Sequence, residues 1–240
     1  MNHEVHAARL VGALQALPMF RGLSPGERRR LEPLAVLKDL RRGQEVWREG
    51  DPAEHLTVIV KGRVKILRHA DAGDVIFEIF GQGEPVGAIA VYNCIPYPAT
   101  AVALEPTTLL CLPRRDYFEL LDRNPEFARS IIRELTRLVL ALARKLEETR
   151  GQRVEVRVAQ LFLSLAARMG EETPEGTAIR LQLTRQEVAD LVGTTVESAI
   201  RVLSRWGRQG LVITRRGYFL IPSRERLAAV AEGDSSSLDS

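Results

Sequence analysis

Cysteine is nearly absent from this chain of 240 residues: it has two, Cys94 and Cys111, with no CxxC spacing and no histidine pair beside them. That excludes a disulfide framework and a clustered zinc site. Between Val36 and Leu112 the only histidines are His55 and His69, too few for the two or three histidines plus a carboxylate that a β-roll metalloenzyme requires. No Ser-His-Asp or phosphate-loop pattern occurs. The expectation is a chain without catalytic or metal-ligating residues, and not an enzyme. Long apolar runs are missing too. None approaches the roughly 18 residues of a membrane helix, and the N-terminus MNHEVHAARL lacks a signal-peptide core. A cytoplasmic protein with no membrane partner is therefore expected. Neither sign of charge dominates, with 34 Lys and Arg against 31 Asp and Glu, so attraction for a polyanion must come from local clustering.

With 45% hydrophobic residues the chain can bury a core and has room for two domains. Its most informative stretch is LTRQEVADLVGTTVESAIRVLSRWGRQGLV, Leu183 to Val212. Thr184 reads as an N-cap with Glu187 as its capping-box partner, and Val188, Leu191 and Val192 form one apolar face. Gly193 supplies a turn, and Thr194 or Thr195 caps a second helix. In that helix Val196, Ala199, Ile200, Leu203 and Trp206 are read as facing inward. Glu197, Ser198, Arg201 and Arg205 are left outside. In a helix-turn-helix the second helix lies in the major groove. There an arginine can bind guanine O6 and N7, and a glutamate can accept from a cytosine amino group. The four-residue spacing of Glu197 and Arg201 also suits an exposed ion pair. Two apolar runs, Gly210 to Ile213 and Tyr218 to Ile221, flank a basic turn at Arg215, Arg216 and Gly217 and read as a hairpin wing.

This run resembles the DNA-binding helices of the Crp/Fnr superfamily of bacterial transcription regulators, whose signature is close to LTRxEIAxxLGxTxExxSRxLxxLxxxGLI. The resemblance implies that Glu197 and Arg201 read bases with Val196 beside them. It implies that Arg185, Gln186, Thr195 and Ser198 contact phosphates or seat the helix. Thr184 and Arg205 complete the DNA-facing set. The implied target is a palindromic, TGA-like site on double-stranded DNA, with RNA polymerase as a further partner, and activation and repression both stay open as the mode of action.

Upstream, Ala7 to Leu17 reads as an amphipathic helix, and Ser24-Pro25-Gly26-Glu27 starts another. From Val36 to about Leu112 short β-rich runs alternate with turn residues, as in a sandwich or roll. Val46 to Pro52 and Val58 to Ile66 resemble the β-roll sensor of the same superfamily. The longest helical stretch runs from Asn124 to about Glu148. Its apolar positions Ile131, Leu135, Leu138 and Leu142 form one stripe, and Ile132, Val139 and Leu146 recur every seven residues. Such a surface can cover the roll and a second copy of the helix at once, and the resemblance implies a homodimer through residues 124–150.

The expected fold is thus α+β: a double-stranded β-helix or jelly-roll sensor with N-terminal helices over 1–123, a dimerisation helix over 124–150, a winged helix-turn-helix over 151–230 and a disordered tail over 231–240. Cyclic-AMP-binding members surround their ligand with a Gly-Glu-Leu segment and an Arg-Ser pair. Aligned through Gly87, this chain has Ala88 and Ile89 in the first segment and Pro98 and Ala99 in the second. A buried phosphate without a cation costs several kcal/mol, which disfavours a cyclic nucleotide. A regulator responding to a cyclic nucleotide through an atypical pocket remains the alternative. An N-terminal cysteine cluster for an iron-sulfur centre is absent. The stretch Val86, Gly87, Ala88, Ile89 with Tyr97, Pro98, Ala99, Thr100 looks closest to the branch that answers nitrogen oxides through haem. It is taken as the effector pocket. No cofactor is assigned and haem stays open, with His55, His69, Tyr92, Cys94 and Cys111 as axial candidates besides His3 and His6. The effector itself is left as an unknown small molecule, a redox signal or none.

Overall fold

The computed structural model describes residues 2–70, 73–148 and 153–233; most of the expected tail, from residue 234, lies outside them. Contacts divide the chain into two units, Met1–Arg68 with Phe77–Leu142, and His69–Ile76 with Ala143–Ser240. In the first unit α1 spans Asn2–Ala16. It starts five residues before the expected Ala7, since residues 2–6 contain no glycine or proline to stop it. Helix α2 (Pro25–Leu31) has a complete capping box. The Ser24 backbone N–H donates to Glu27 Oε2 at 2.7 Å, and Ser24 Oγ accepts from the Glu27 N–H.

The roll consists of β1 (Val36–Leu40), β2 (Glu45–Trp47), β3 (His55–Lys61), β4 (Val64–Ala70), β5 (Gly73–Phe80), β6 (Pro85–Val86), helix α3 (Ala88–Asn93), β7 (Thr100–Ala103) and β8 (Thr107–Pro113). Its strands form two four-stranded sheets, ordered β1-β8-β3-β6 and β2-β7-β4-β5. Strand β3 buries Leu56, Thr57, Val58 and Ile59 in succession, because α4 (Arg114–Arg123) and α3 lie against it as well as its sheet neighbours. One apolar cluster takes side chains from both sheets, including Leu37, Leu56, Val58, Trp47, Val64 and Ala101.

Helix α5 (Pro125–Glu148) follows, with Asn124 Oδ1 accepting the Phe127 N–H at 2.9 Å. Its two apolar stripes have different fates. Phe127 and Ile131 are buried, and Leu135 and Leu138 pack against the roll core. Ile132 and Val139, seven apart, are 62% and 63% exposed. Leu142, expected in the first stripe, is exposed as well, because the helix has by then run past the roll side chains. The Leu146 side chain lies outside those described.

The second unit contains α6 (Val154–Met169), β9 (Gly170–Thr173), β10 (Gly176–Ile179), α7 (Arg185–Val192), α8 (Val196–Gln209), β11 (Ile213–Arg215), β12 (Tyr218–Ile221) and α9 (Arg224–Ala231). The expected wing hairpin β11-β12 is half of a four-stranded sheet, β11-β12-β10-β9. Phe162 of α6 meets Phe219 of β12 edge to face at 4.9 Å between centroids. The whole is α+β, a β-roll with flanking helices, a long helix and a winged helix-turn-helix.

Candidate nucleic-acid interface and effector pocket

The helix-turn-helix is built by local chemistry that the sequence displays. Thr184 Oγ1 accepts the Glu187 N–H at 3.1 Å and Glu187 Oε2 accepts the Thr184 N–H at 2.8 Å. Helix α7 then stops at Gly193, which adopts φ 64°, a conformation costly for any residue with a Cβ. Thr195 Oγ1 accepts the Ser198 N–H and caps α8. Ala199, Val202, Leu203 and Trp206 of α8 are buried. Ile200, expected inside, is instead 44% exposed, and Val196 is half-buried. The buried set repeats at steps of three, one and three from Ala199, and Ile200 falls one position off that stripe.

The expected DNA-facing residues separate into three groups. Glu197 and Arg201 are exposed on α8, and Arg201 Nη2 donates to Ser198 Oγ at 2.8 Å. The arginine is braced by its neighbouring hydroxyl rather than closed into a pair with Glu197. Gln186 Nε2 donates to Asp190 Oδ1, and Arg185 Nη2 donates to Thr214 Oγ1 at 3.0 Å, tying α7 to the wing. Partial burial pulls the Arg185 pKa down, so its charge is incompletely solvated. Arg205 differs from its expected place on the outer face. It is half-buried, with Nη2 2.6 Å from Glu155 Oε1 on α6. Two residues that sequence reading did not single out, Glu155 and Arg157, approach the helix-turn-helix from α6; only the charge of each could have drawn notice.

In the roll, Gly87 takes φ 72° at the start of α3. A Cβ there would lie 2.6 Å from Tyr97 Cε1 and 3.0 Å from the Trp47 ring. Those two rings stack at 3.9 Å between centroids with an 11° interplanar angle. Trp47 Nε1 donates to the Ala99 carbonyl at 3.1 Å. Tyr97 is held at both its backbone groups, its N–H donating to Asp51 O and its carbonyl accepting from the Gly50 N–H. Burial raises the Tyr97 hydroxyl pKa to about 12. Val86, Ala88, Ala99 and Thr100 are buried around the pair. Ile89, expected in the pocket, is exposed, since α3 turns Ala88, Ala90 and Val91 inward; Pro98 is exposed too. Arg68 Nη2 donates to the Pro98 carbonyl at 2.7 Å and its Nε lies 3.3 Å from Glu49.

Comparison with known proteins matches the cyclic nucleotide-binding domain to residues 37–124 and the Crp-like helix-turn-helix domain to residues 156–230. The chain belongs to the Crp/Fnr family. It is 29% identical over 213 residues to the CRP-like cAMP-activated global transcriptional regulator of Mycobacterium tuberculosis, covering 88% of this chain and 94% of that one. The transcriptional activator protein anr of Pseudomonas aeruginosa is 24% identical over 196 residues, covering 82% and 80%. Among solved structures, a CooA mutant from Carboxydothermus hydrogenoformans superposes with a TM-score of 0.70 at 18% identity, covering 83% of this chain and 88% of that one, a likeness of fold.

Ala88 and Ala99 offer neither charge nor hydrogen bond from their side chains, and the only cation bonded to Pro98 in the described residues is Arg68, already occupied by that carbonyl and Glu49. The Trp47 and Tyr97 rings lie directly against Gly87. These residues do not fit a cyclic nucleotide. They do not fit haem either, because no axial candidate with a described side chain is both buried and ready to ligate iron. His69 Nδ1 is 2.7 Å from Asp74 Oδ1, while His55, Tyr92 and Cys94 are exposed. Burial pushes the Cys111 thiol up and away from the thiolate a metal needs. The side chains of His3 and His6 lie outside those described. Among the described residues no group of three His, Cys, Asp or Glu is placed to hold a metal ion, and no helix is long and apolar enough to cross a membrane.

Proposed function

We propose that this Crp/Fnr-type DNA-binding transcription regulator acts as a homodimer on a palindromic, TGA-like site and reaches its DNA-binding state without a cyclic nucleotide. The observation that carries the reading is the outer face of α8. A capped helix presents Glu197 and Arg201 to solvent, with Arg201 bonded to Ser198 one turn earlier, and an arginine on that face can meet a guanine edge. Arg185 and Gln186 on α7, Thr195 at the cap of α8, and Arg215 and Arg216 on the wing serve the backbone phosphates, which fix register without reading sequence. Thr184 stabilises the start of α7. The exposed stripe Ile132 and Val139 on α5 supports pairing with a second copy, because a monomer gains nothing from large apolar side chains left in water. A two-fold dimer places two reading helices about one DNA turn apart. The Trp47–Tyr97 stack against Gly87, and the uncharged Ala88, Pro98 and Ala99, support independence from cyclic AMP.

DNA affinity selection with the purified full chain, run with and without cyclic AMP, tests both claims. A palindromic TGA-type motif enriched equally in the two arms is expected. Enrichment only with cyclic AMP would reject ligand independence, and no motif in either arm would reject sequence-specific binding.

A further inference from the structure

The start of α6 holds the helix-turn-helix at two points. Arg157 Nη1 donates to the Val192 carbonyl at 2.7 Å and to the Gly193 carbonyl at 3.0 Å. These groups end α7 and form the turn, where a helix leaves its last carbonyls without internal partners and concentrates negative partial charge. Two residues earlier in the chain, Glu155 meets Arg205 of α8 at 2.6 Å, with both side chains partly withdrawn from solvent. Arg157 therefore grips the hinge between the two helices, and Glu155 grips the second helix itself. Between them Val156 is buried, followed by Val158 and Ala159, so the first turn of α6 is also seated in the core.

The geometry points to Glu155 and Arg157 as positioning residues that set the angle at which α8 meets DNA, with Arg205 a strut inside the protein rather than a phosphate ligand. This rests on α8 being the reading helix. Neither α6 residue touches a base. They act through α8, and their loss degrades sequence discrimination while leaving the charge that attracts the duplex nearly unchanged. Arg205 has a second role open to it in principle, contact with a phosphate, and the two roles make opposite predictions for Glu155. If Arg205 met phosphate, Glu155 would compete with DNA, and removing its charge would tighten binding to every duplex.

The test compares the full-length protein with Glu155→Gln, Arg205→Gln, the exchange Glu155→Arg with Arg205→Glu, and Arg157→Lys, on a duplex bearing the selected motif and on a scrambled duplex. Melting curves show whether each protein is folded at the assay temperature. Under the inference Glu155→Gln and Arg205→Gln each lower the ratio of specific to scrambled affinity by roughly three- to tenfold. Scrambled binding and its salt dependence stay as in the parent, and the exchange restores part of the ratio. Arg157→Lys keeps the charge but reaches two carbonyls poorly, and lowers the ratio without changing scrambled binding. Tighter binding of Glu155→Gln to both duplexes, or a salt slope reduced by about one on losing Arg205, would overturn the inference. So would an unchanged ratio in all the single variants. Should Arg157→Lys prove unfolded, the Glu155 and Arg205 variants decide alone. Failure of the parent to prefer the motif would instead count against the reading of α8.

Discussion

Replacing Trp47 with alanine is the most direct challenge to a roll closed by its own aromatic pair. The indole is 8% exposed, stacks on Tyr97 at 3.9 Å and donates to the Ala99 carbonyl. Truncating a buried tryptophan to alanine costs about 3–5 kcal/mol. Within that sum the lost ring stack accounts for about 0.5–1.5 kcal/mol and the orphaned carbonyl for about 1 kcal/mol. A domain's whole stability is about 5–15 kcal/mol, so the N-terminal unit should melt roughly 10 °C lower. Free indole fits the vacated space. At ten times its dissociation constant it returns about 1.4 kcal/mol. The assay is thermal unfolding of the parent and variant followed by circular dichroism, with and without indole and with and without cyclic AMP. A loss under about 1 kcal/mol, or no response of the variant to indole, would refute the packing argument. A clear rise in the parent's melting temperature with cyclic AMP would refute the closed pocket itself.

Arg201→Ala should weaken binding to the selected site by about 1–3 kcal/mol and relax one base preference, read by repeating the selection with the variant. Arg185→Ala should weaken all duplexes alike and lower the salt slope by about one, measured by titration at several salt concentrations. Thr184→Ala breaks the capping box and leaves the nearly buried Glu187 carboxylate with fewer donors, so denaturant unfolding of the C-terminal unit should show a loss of about 1 kcal/mol. Tyr97 and Tyr117 both have hydroxyls raised to about 12 from an ordinary value near 10. Their neutral forms favour the folded state, so this contribution is complete below pH 10 and is lost as pH climbs from 10 toward 12. Tyr97→Phe should flatten that alkaline limb in melting curves.

The helix-turn-helix was legible because its signals are local. Thr184 and Glu187 are three residues apart, as the capping box demands, and Gly193 sits where α7 must turn. The Ser24 start of α2 was visible for the same reason. What was missed depends on residues distant in the chain. Arg205 looked like an exposed cation until α6 brought Glu155 to it across fifty residues, and the stack on Gly87 joins Trp47 to Tyr97 over a similar span. Hairpin β9-β10 escaped notice because its strands are four residues each and β9 is half charged, GEET, so neither shows the alternation of a half-buried strand. Ile200 was misplaced by residue type: an isoleucine reads as core, but the stripe through Ala199, Leu203 and Trp206 leaves it outside.

The chain has two tryptophans, and the fold puts Trp47 in the N-terminal unit and Trp206, fully buried, in the C-terminal one. The protein therefore carries one tryptophan per unit. Exchanging Trp47 for phenylalanine keeps a ring on Tyr97 and leaves Trp206 as the sole tryptophan, so light excited beyond the tyrosine absorption comes only from the core beneath α8. Comparing the parent with this variant separates the unfolding of the two units, and a titration with DNA can be watched from inside the C-terminal unit without attaching a dye.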